Sequence, residues 1–234
     1  MKAKNLLKTF CASRKKKMFS TLIKIIPLDL AATLSPGILA LVLIILGSKN
    51  HPKAHAFSLF LGALFTAVGI AILGYVLGNS IDTGFKQNTT ESIADIILGL
   101  FFVIYGLKLF FSKERKISLK EEQHELKIFK WLGVGIILTI TNFDALFLSF
   151  TAAKEVGGAE INDLAKWILL VVNIFFFTLP ITLPLFIKIL FPKMADPLLE
   201  KINRFVLKYS RYVILAMFMV FGIYLLYRGI KLFI

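Results

Sequence analysis

The sequence predicts an all-α integral membrane protein with six transmembrane helices, arranged as an inverted repeat of two three-helix halves. The first observation behind this is composition. Apolar residues make up 57% of the 234 residues and charged residues 18%, against about 45–50% and about 25% in soluble domains. The second is that the apolar residues gather into blocks of about 20 residues or more, the length that crosses hydrocarbon. The third is a match between the two halves of the chain.

The chain divides into four segments. Residues 1–18 form a basic N-terminal tail, and residues 19–111 form the first three-span repeat. A charged connecting loop takes residues 112–127, and the second repeat takes residues 128–234, with an amphipathic linker at 193–211. The six predicted spans are Phe19–Gly47, Ala56–Gly78, Ser92–Phe111, Ile128–Ala152, Leu164–Phe191 and Tyr212–Ile234.

The first span is interrupted by Ser35-Pro36-Gly37. Proline removes a helical hydrogen bond, and in lipid the freed carbonyl must be satisfied by protein or by a wet cavity. We therefore expect this break to face the interior of the protein, with Gly37 as a hinge. A simple kink stabilised by packing is the alternative.

The second span is rich in small residues, including Gly74-x-x-x-Gly78, a pattern that lets helices approach closely. We expect this face to serve packing. The fifth span is interrupted by Pro180 and Pro184, at which we predict further helix breaks or hinges. Before the sixth span, the linker has apolar residues at helical spacing, which predicts an amphipathic helix lying on the membrane surface.

The third and sixth spans match at a constant offset of 123 residues. Gly99 and Gly106 of one segment align with Gly222 and Gly229 of the other, within a shared Gly-x₆-Gly-x-Lys-x-Phe pattern. More weakly, the break of the first span aligns with Thr139–Phe143 at an offset near 107. Because three spans is an odd number, two copies must have opposite orientations, which is the plan of many secondary transporters. Chance similarity of apolar helices is the alternative.

Two acids lie within predicted spans, Asp29 in the first and Asp144 in the fourth. A charge there costs about 2.5–3.5 kcal/mol on insertion scales, and such residues mark functional sites by default. If the first and fourth spans cross, the two acids form an oxygen-rich set that could bind a substrate, a proton or a divalent cation; any metal would be held by these two acids. The predicted substrate- or ion-binding residues are Asp29, Thr33, Ser35, Pro36, Thr141, Asn142 and Asp144.

Structural roles for the same polar residues remain open. Asp29 could pair with Lys24 or cap a broken helix, and Asp144 could bind freed backbone groups. Lys24 itself is expected to extend its ammonium to the membrane interface. Asp95 is expected to cap a helix or to lie at the interface, and Asn173 to form an interhelical hydrogen bond.

Charge predicts both partners and orientation. The formal charge of +14 comes from basic residues flanking apolar blocks, so it indicates contact with membrane lipids and no nucleic-acid partner. Most of them lie in the loops after the first, third and fifth spans. The positive-inside rule therefore places both termini outside the cytoplasm of a multi-pass protein of the cell membrane, although the basic tail contradicts this orientation. The single cysteine, Cys11, excludes a disulfide scaffold and a thiol carrier.

At Leu34-Ser35-Pro36-Gly37 and at Thr141-Asn142-Phe143-Asp144, the chain resembles the GAP branch (Sap, sulfolipid-1-addressing protein) of the LysE exporter superfamily. This resemblance implies a six-span exporter with inverted halves. The branch is associated with glycolipids or related envelope amphiphiles, and sister branches export amino acids or divalent cations. The fourth-span motif of the family is typically Asn-Pro-Lys-Asn. Here only Asn142 matches, and Asp144 replaces a cation with an anion.

Three functions follow from these observations. The first is a secondary transporter that exports a lipid, glycolipid or other amphiphile by alternating access. The second is an exporter of divalent cations or amino acids centred on Asp29 and Asp144, and the third is a non-transporting assembly factor for lipid export. No hydrolase or protease motif is found, so we expect neither an enzyme nor a cofactor. The expected partners are membrane lipids and a small-molecule, ion or lipid substrate, and a homodimer is left open.

Overall fold

The structure is a computed structural model that describes the backbone of residues 2–48, 51–81, 89–111 and 128–231. Side chains are described for residues 17–48, 51–80, 92–111 and 129–231. The connecting loop predicted at 112–127 lies outside the described residues. Every element of regular secondary structure in the described ranges is an α-helix. They are α1 (Lys2–Thr33), α2 (Pro36–Gly47), α3 (Pro52–Ile81), α4 (Thr89–Phe111), α5 (Ile128–Thr141), α6 (Phe143–Gly157), α7 (Asp163–Leu190) and α8 (Ala195–Ile230).

Within these ranges, four helices are long and apolar enough to cross a membrane by themselves: α3, α4, α7 and α8. The other two apolar segments are bent pairs. α1 and α2 meet at 51°, and α5 and α6 meet at 76°. The protein is thus a multi-pass helical membrane protein with four spans, or six when each bent pair is one span. Its outer faces carry many exposed large apolar side chains, as a lipid-facing surface requires.

The break between α1 and α2 follows from the sequence around Pro36. A residue that precedes proline is driven out of the α conformation, and Ser35 is extended, with φ −100° and ψ 96°. Pro36 then begins α2 at a position where its missing N–H costs nothing. The second break is at Asn142, whose φ of −84° and ψ of 65° are also non-helical.

The predicted interruptions at Pro180 and Pro184 do not end the fifth span, because α7 continues through both prolines to Leu190. A nearby hydroxyl does not replace the bond that Pro184 removes. Thr182 donates to the carbonyl of Thr178 at 3.1 Å, rather than to the carbonyl of Pro180 that Pro184 leaves free. The linker predicted at 193–211 and the sixth span are likewise one continuous helix, α8.

Glycines bring α3 into close contact with α5 and α6. A Cβ on Gly78 would overlap the backbone carbonyl of Lys154, and a Cβ on Gly74 would lie 2.7 Å from the carbonyl oxygen of Phe150. Gly135 packs in the same way against the backbone of Leu59 in α3. The packing role predicted for the small residues of the second span is thereby confirmed.

The helices α4 and α8 pack antiparallel. Adding 123 to the number of a contact residue in α4, and subtracting 123 from the number of its partner in α8, gives another contact of the same interface. A Cβ on Gly99 would lie 2.8 Å from the backbone nitrogen of Leu226, and the offset turns this contact into that of Gly222 with Val103, at 3.1 Å. In the same way, the contact of Gly106 with Met219 becomes that of Gly229 with Ile96. The matched glycines are therefore packing positions that occur twice in one interface.

Candidate functional site

The two helix breaks contact each other through a partly buried hydrogen bond. The side-chain amide of Asn142 donates a hydrogen bond of 3.0 Å to the hydroxyl of buried Ser35. These residues are 107 positions apart, the offset at which the sequence aligns the two breaks. The bond thus joins corresponding positions of the first and fourth spans, and it brings together two of the predicted site residues.

The two predicted threonines bond to their own helices. Thr33 donates to the carbonyl of Leu30 at 2.6 Å, and Thr141 donates to the carbonyl of Ile137 at 2.8 Å. Their hydroxyls therefore satisfy carbonyls of the last turns of α1 and α5, next to each break. Pro36 and Gly37 open α2 and are partly buried.

A buried polar triad lies about two helical turns from the breaks. Asp29 is 1% exposed, and its Oδ1 accepts a hydrogen bond of 2.6 Å from the amide nitrogen of Asn173 in α7. Asn173 in turn accepts from the hydroxyl of Ser149 in α6, at 3.2 Å. The expected interhelical bond of Asn173 is thus confirmed, and Asp29 pairs with this amide rather than with Lys24. The second oxygen, Oδ2, is buried and has no hydrogen-bond partner among the residues described.

Asp144 occupies the first turn of α6, where its carboxylate accepts from the backbone N–H of Ala145. Helix N-termini favour anions, so this placement gives the acid a structural contact. Within the described ranges, no hydrogen bond links Asp29 with Asp144, and no group of three or more His, Cys, Asp or Glu side chains could hold a metal ion.

A network of charges that was not predicted from the sequence lies beside the middle of α1. Asp95 is completely buried and pairs with Lys154, and its second oxygen accepts from Nε of Arg228 at 2.5 Å. Arg228 also donates to Glu155 at 2.7 Å. Lys24 lies 3.5 Å from the other oxygen of Glu155.

The network corrects the roles expected for two residues. Asp95 was expected to cap a helix or to face the interface, whereas it is the buried centre of an ionic cluster that joins α4, α6 and α8. Lys24 keeps its ammonium half-exposed, as expected, but adds α1 to the cluster through Glu155. Buried ions need such partners because desolvation alone costs several kcal/mol per ion.

A cavity of about 260 Å³ opens beside this network. It lies away from the breaks, since Lys24 precedes Ser35 by eleven residues, or about 16 Å of helix. Its wall includes the α1 residues Lys17, Ser20, Thr21 and Lys24. None of the residues predicted to line a transport site contributes to this cavity.

Bent apolar helices that meet at a polar contact, together with a buried carboxylate and a buried amide, define a multi-pass membrane protein with polar groups inside its bundle. A family model described as Sap, sulfolipid-1-addressing protein, matches residues 25–231, and the chain belongs to that family. The family and the apolar helices together indicate a membrane protein tied to lipid export. No curated protein and no solved structure matches the chain.

Proposed function

We propose that this protein is a secondary transporter of the cell membrane that exports a lipid, glycolipid or other amphiphile by alternating access. The observation that carries the proposal is the hydrogen bond between Asn142 and Ser35. It joins two broken apolar segments at matching positions, as expected where the halves of an inverted repeat meet around a central site. The family match supports a lipid or lipid-like cargo.

The α4–α8 interface supports the inverted repeat independently. Antiparallel helices whose contacts are exchanged by one constant offset have the geometry of a two-fold axis between them. The glycine contacts at Gly99 and Gly222 fit this description, as do those at Gly106 and Gly229. Six spans in two inverted halves are therefore the architecture we propose, in line with the resemblance to the LysE superfamily.

The same offset relates two chemically different contacts at opposite ends of this interface. By this offset Phe218 corresponds to Asp95, and Tyr105 corresponds to Arg228. The rings of Phe218 and Tyr105 lie 5.3 Å apart, whereas Asp95 and Arg228 form an ion pair. In the transport cycle we propose, the ionic cluster closes one end of the protein and the aromatic contact closes the other. Opening the ionic end requires Arg228 to leave Asp95 or Glu155.

Asp29 is the residue to which we assign the coupling or substrate ion. Its buried Oδ2, without a partner among the described residues, could accept a proton or a cation when the helices move at the breaks. This oxygen also favours the second candidate, an exporter of cations or amino acids, over a purely structural role for Asp29. The roles of Thr33, Pro36, Thr141 and Asp144 as binding residues, and of Gly37, Pro180 and Pro184 as hinges, belong to the same proposal.

The test is lipid movement in proteoliposomes that contain the purified protein. We expect protein-dependent transfer of labelled anionic or glycosylated lipids between leaflets, driven by an ion gradient. Asp29→Asn should abolish the gradient dependence, whereas Asp163→Asn, an exposed acid at the start of α7, should leave it intact. Folded protein that moves no amphiphile would refute the lipid transporter. Gradient-driven transport of a cation or amino acid instead would favour the second candidate.

A further inference from the structure

The cavity beside the ionic network is lined by more basic than acidic side chains. Lys17, Lys24, Lys154 and Arg228 line it, together with Glu155 and Glu160. Asp95, which pairs with Lys154 and Arg228, lies behind them. The three carboxylates leave one cation in excess, so the cavity attracts anions even with every pair formed.

We propose that this cavity binds the anionic head group of an amphiphile, a phosphate or sulfate ester, through Lys17 and Lys24. The proposal rests on the proposed function for the amphiphilic nature of the ligand. The anion site itself rests on the charges and shape of the cavity.

The two lysines of α1 can exchange their partners for a ligand. Lys17 bonds Glu160 at 2.5 Å, but the two side chains are 52% and 74% exposed, and exposed pairs of this kind contribute little. Its ammonium lowers the pKa of the Glu160 carboxyl, so the carboxylate is ionised at neutral pH and competes with an incoming anion. Lys24 is 45% exposed and lies 3.5 Å from Glu155, too far for a strong charge-assisted bond.

Polar residues on one face of α1 line the cavity in a regular arrangement. Lys17, Ser20, Thr21 and Lys24 occur at helical spacing and line one side of the cavity. The hydroxyl of Thr21 already donates to the carbonyl of Lys17, whereas exposed Ser20 lies between the two ammonium groups along the helix. A volume of about 260 Å³ is smaller than the pockets that enclose drug-sized ligands, and it suits a head group rather than a whole lipid.

The outer face of α1 can hold the apolar part of the same ligand. Phe19 and Ile23 are 61% and 57% exposed, and each directly precedes a residue that lines the cavity. A lipid bound by its head group would therefore lie with its chains along these side chains. This adjacency favours an amphiphile over free phosphate or sulfate.

The test is binding to the full-length protein in an uncharged detergent, measured by thermal shift. The probes are dihexanoyl phosphatidic acid, dihexanoyl phosphatidylcholine, inorganic phosphate and sodium sulfate. We expect phosphatidic acid to bind more tightly than either inorganic anion, and phosphatidylcholine to bind at least about tenfold more weakly. Lys24→Gln should weaken binding by about fivefold and Lys17→Gln by about threefold, from the strength of exposed charged contacts. Lys201→Gln, an exposed lysine of α8, should leave it unchanged.

Glu160→Gln provides a change in the opposite direction. It removes the competitor of the ligand for Lys17, so we expect binding to tighten by about threefold. Equal affinity for phosphatidic acid in the wild type, Lys24→Gln and Lys17→Gln would overturn the site. Binding of the inorganic anions as tightly as the lipid would overturn the lipid assignment. Lipid transport that persists without anion binding would reject this site alone, whereas binding without transport would reject the proposed function alone.

Discussion

Removal of the Asp95 carboxylate should strongly destabilise the protein. Asp95 is 0% exposed and is the counter-ion of Lys154, which is itself buried. In Asp95→Asn, Arg228 keeps Glu155 as a partner, but Lys154 loses its carboxylate. Breaking a buried pair from one side costs about 3–5 kcal/mol, and we expect a loss of this size in the free energy of unfolding.

The assay is unfolding by SDS in mixed micelles, followed by tryptophan fluorescence. The matched control is Glu200→Gln, which breaks an exposed pair with Arg204 at 3.4 Å within α8 and should cost about 0.5 kcal/mol or less. A second variant keeps the test decisive if Asp95→Asn does not fold. Asp95→Leu combined with Lys154→Met removes both charges and should recover most of the loss. A cost for Asp95→Asn equal to that of the control, or a double variant no more stable than the single one, would refute the reasoning.

Three further outcomes test the packing and the site. Gly78→Ala should destabilise the protein by about 1–3 kcal/mol because its Cβ would overlap the backbone of α6. Gly69→Ala, with nothing within 4 Å of the added Cβ, should be neutral or stabilising by up to about 1 kcal/mol. Thermal unfolding in detergent measures the difference between the two variants. A double-mutant cycle of Ser35→Ala and Asn142→Ala should give a coupling of about 1 kcal/mol, and additive losses would argue against the bond between the breaks. Asn173→Ala should cost about 1.5–3 kcal/mol in the same unfolding assay, because a buried carboxylate loses its donor, and an unchanged midpoint would contradict the buried triad.

The apolar segments and the break at Ser35 could be predicted because they are local features. Span length follows from the composition of a continuous stretch, and Pro36 restricts the residue that precedes it. The close approach of α3 also follows locally from its glycines. The proline rule was too strong for Pro180 and Pro184, since a long buried helix can tolerate a missing hydrogen bond when neighbouring residues hold it in place.

The ionic network was not predicted because its members are far apart in the sequence. Asp95 meets Lys154 across 59 positions and Arg228 across 133, and each residue alone is typical of a charge at the end of a span. The available signal was the match at offset 123, which makes α4 and α8 partners. Combined with the rule that acids within apolar segments need a partner, it could have paired Asp95 with the basic residue near the end of α8.

The unequal chemistry of the two ends of the α4–α8 interface has a consequence for temperature. Exposing ions to water becomes less favourable on warming, because the hydration of charged groups has a strongly negative entropy. The free energy of exposing aromatic surface depends on temperature in a different way, because that exposure raises the heat capacity. If the end closed by Asp95 and Arg228 and the end closed by Phe218 and Tyr105 open in turn, a change of temperature shifts the resting population between the two states. Growth temperature would then influence which side of the membrane the open end of the empty protein faces.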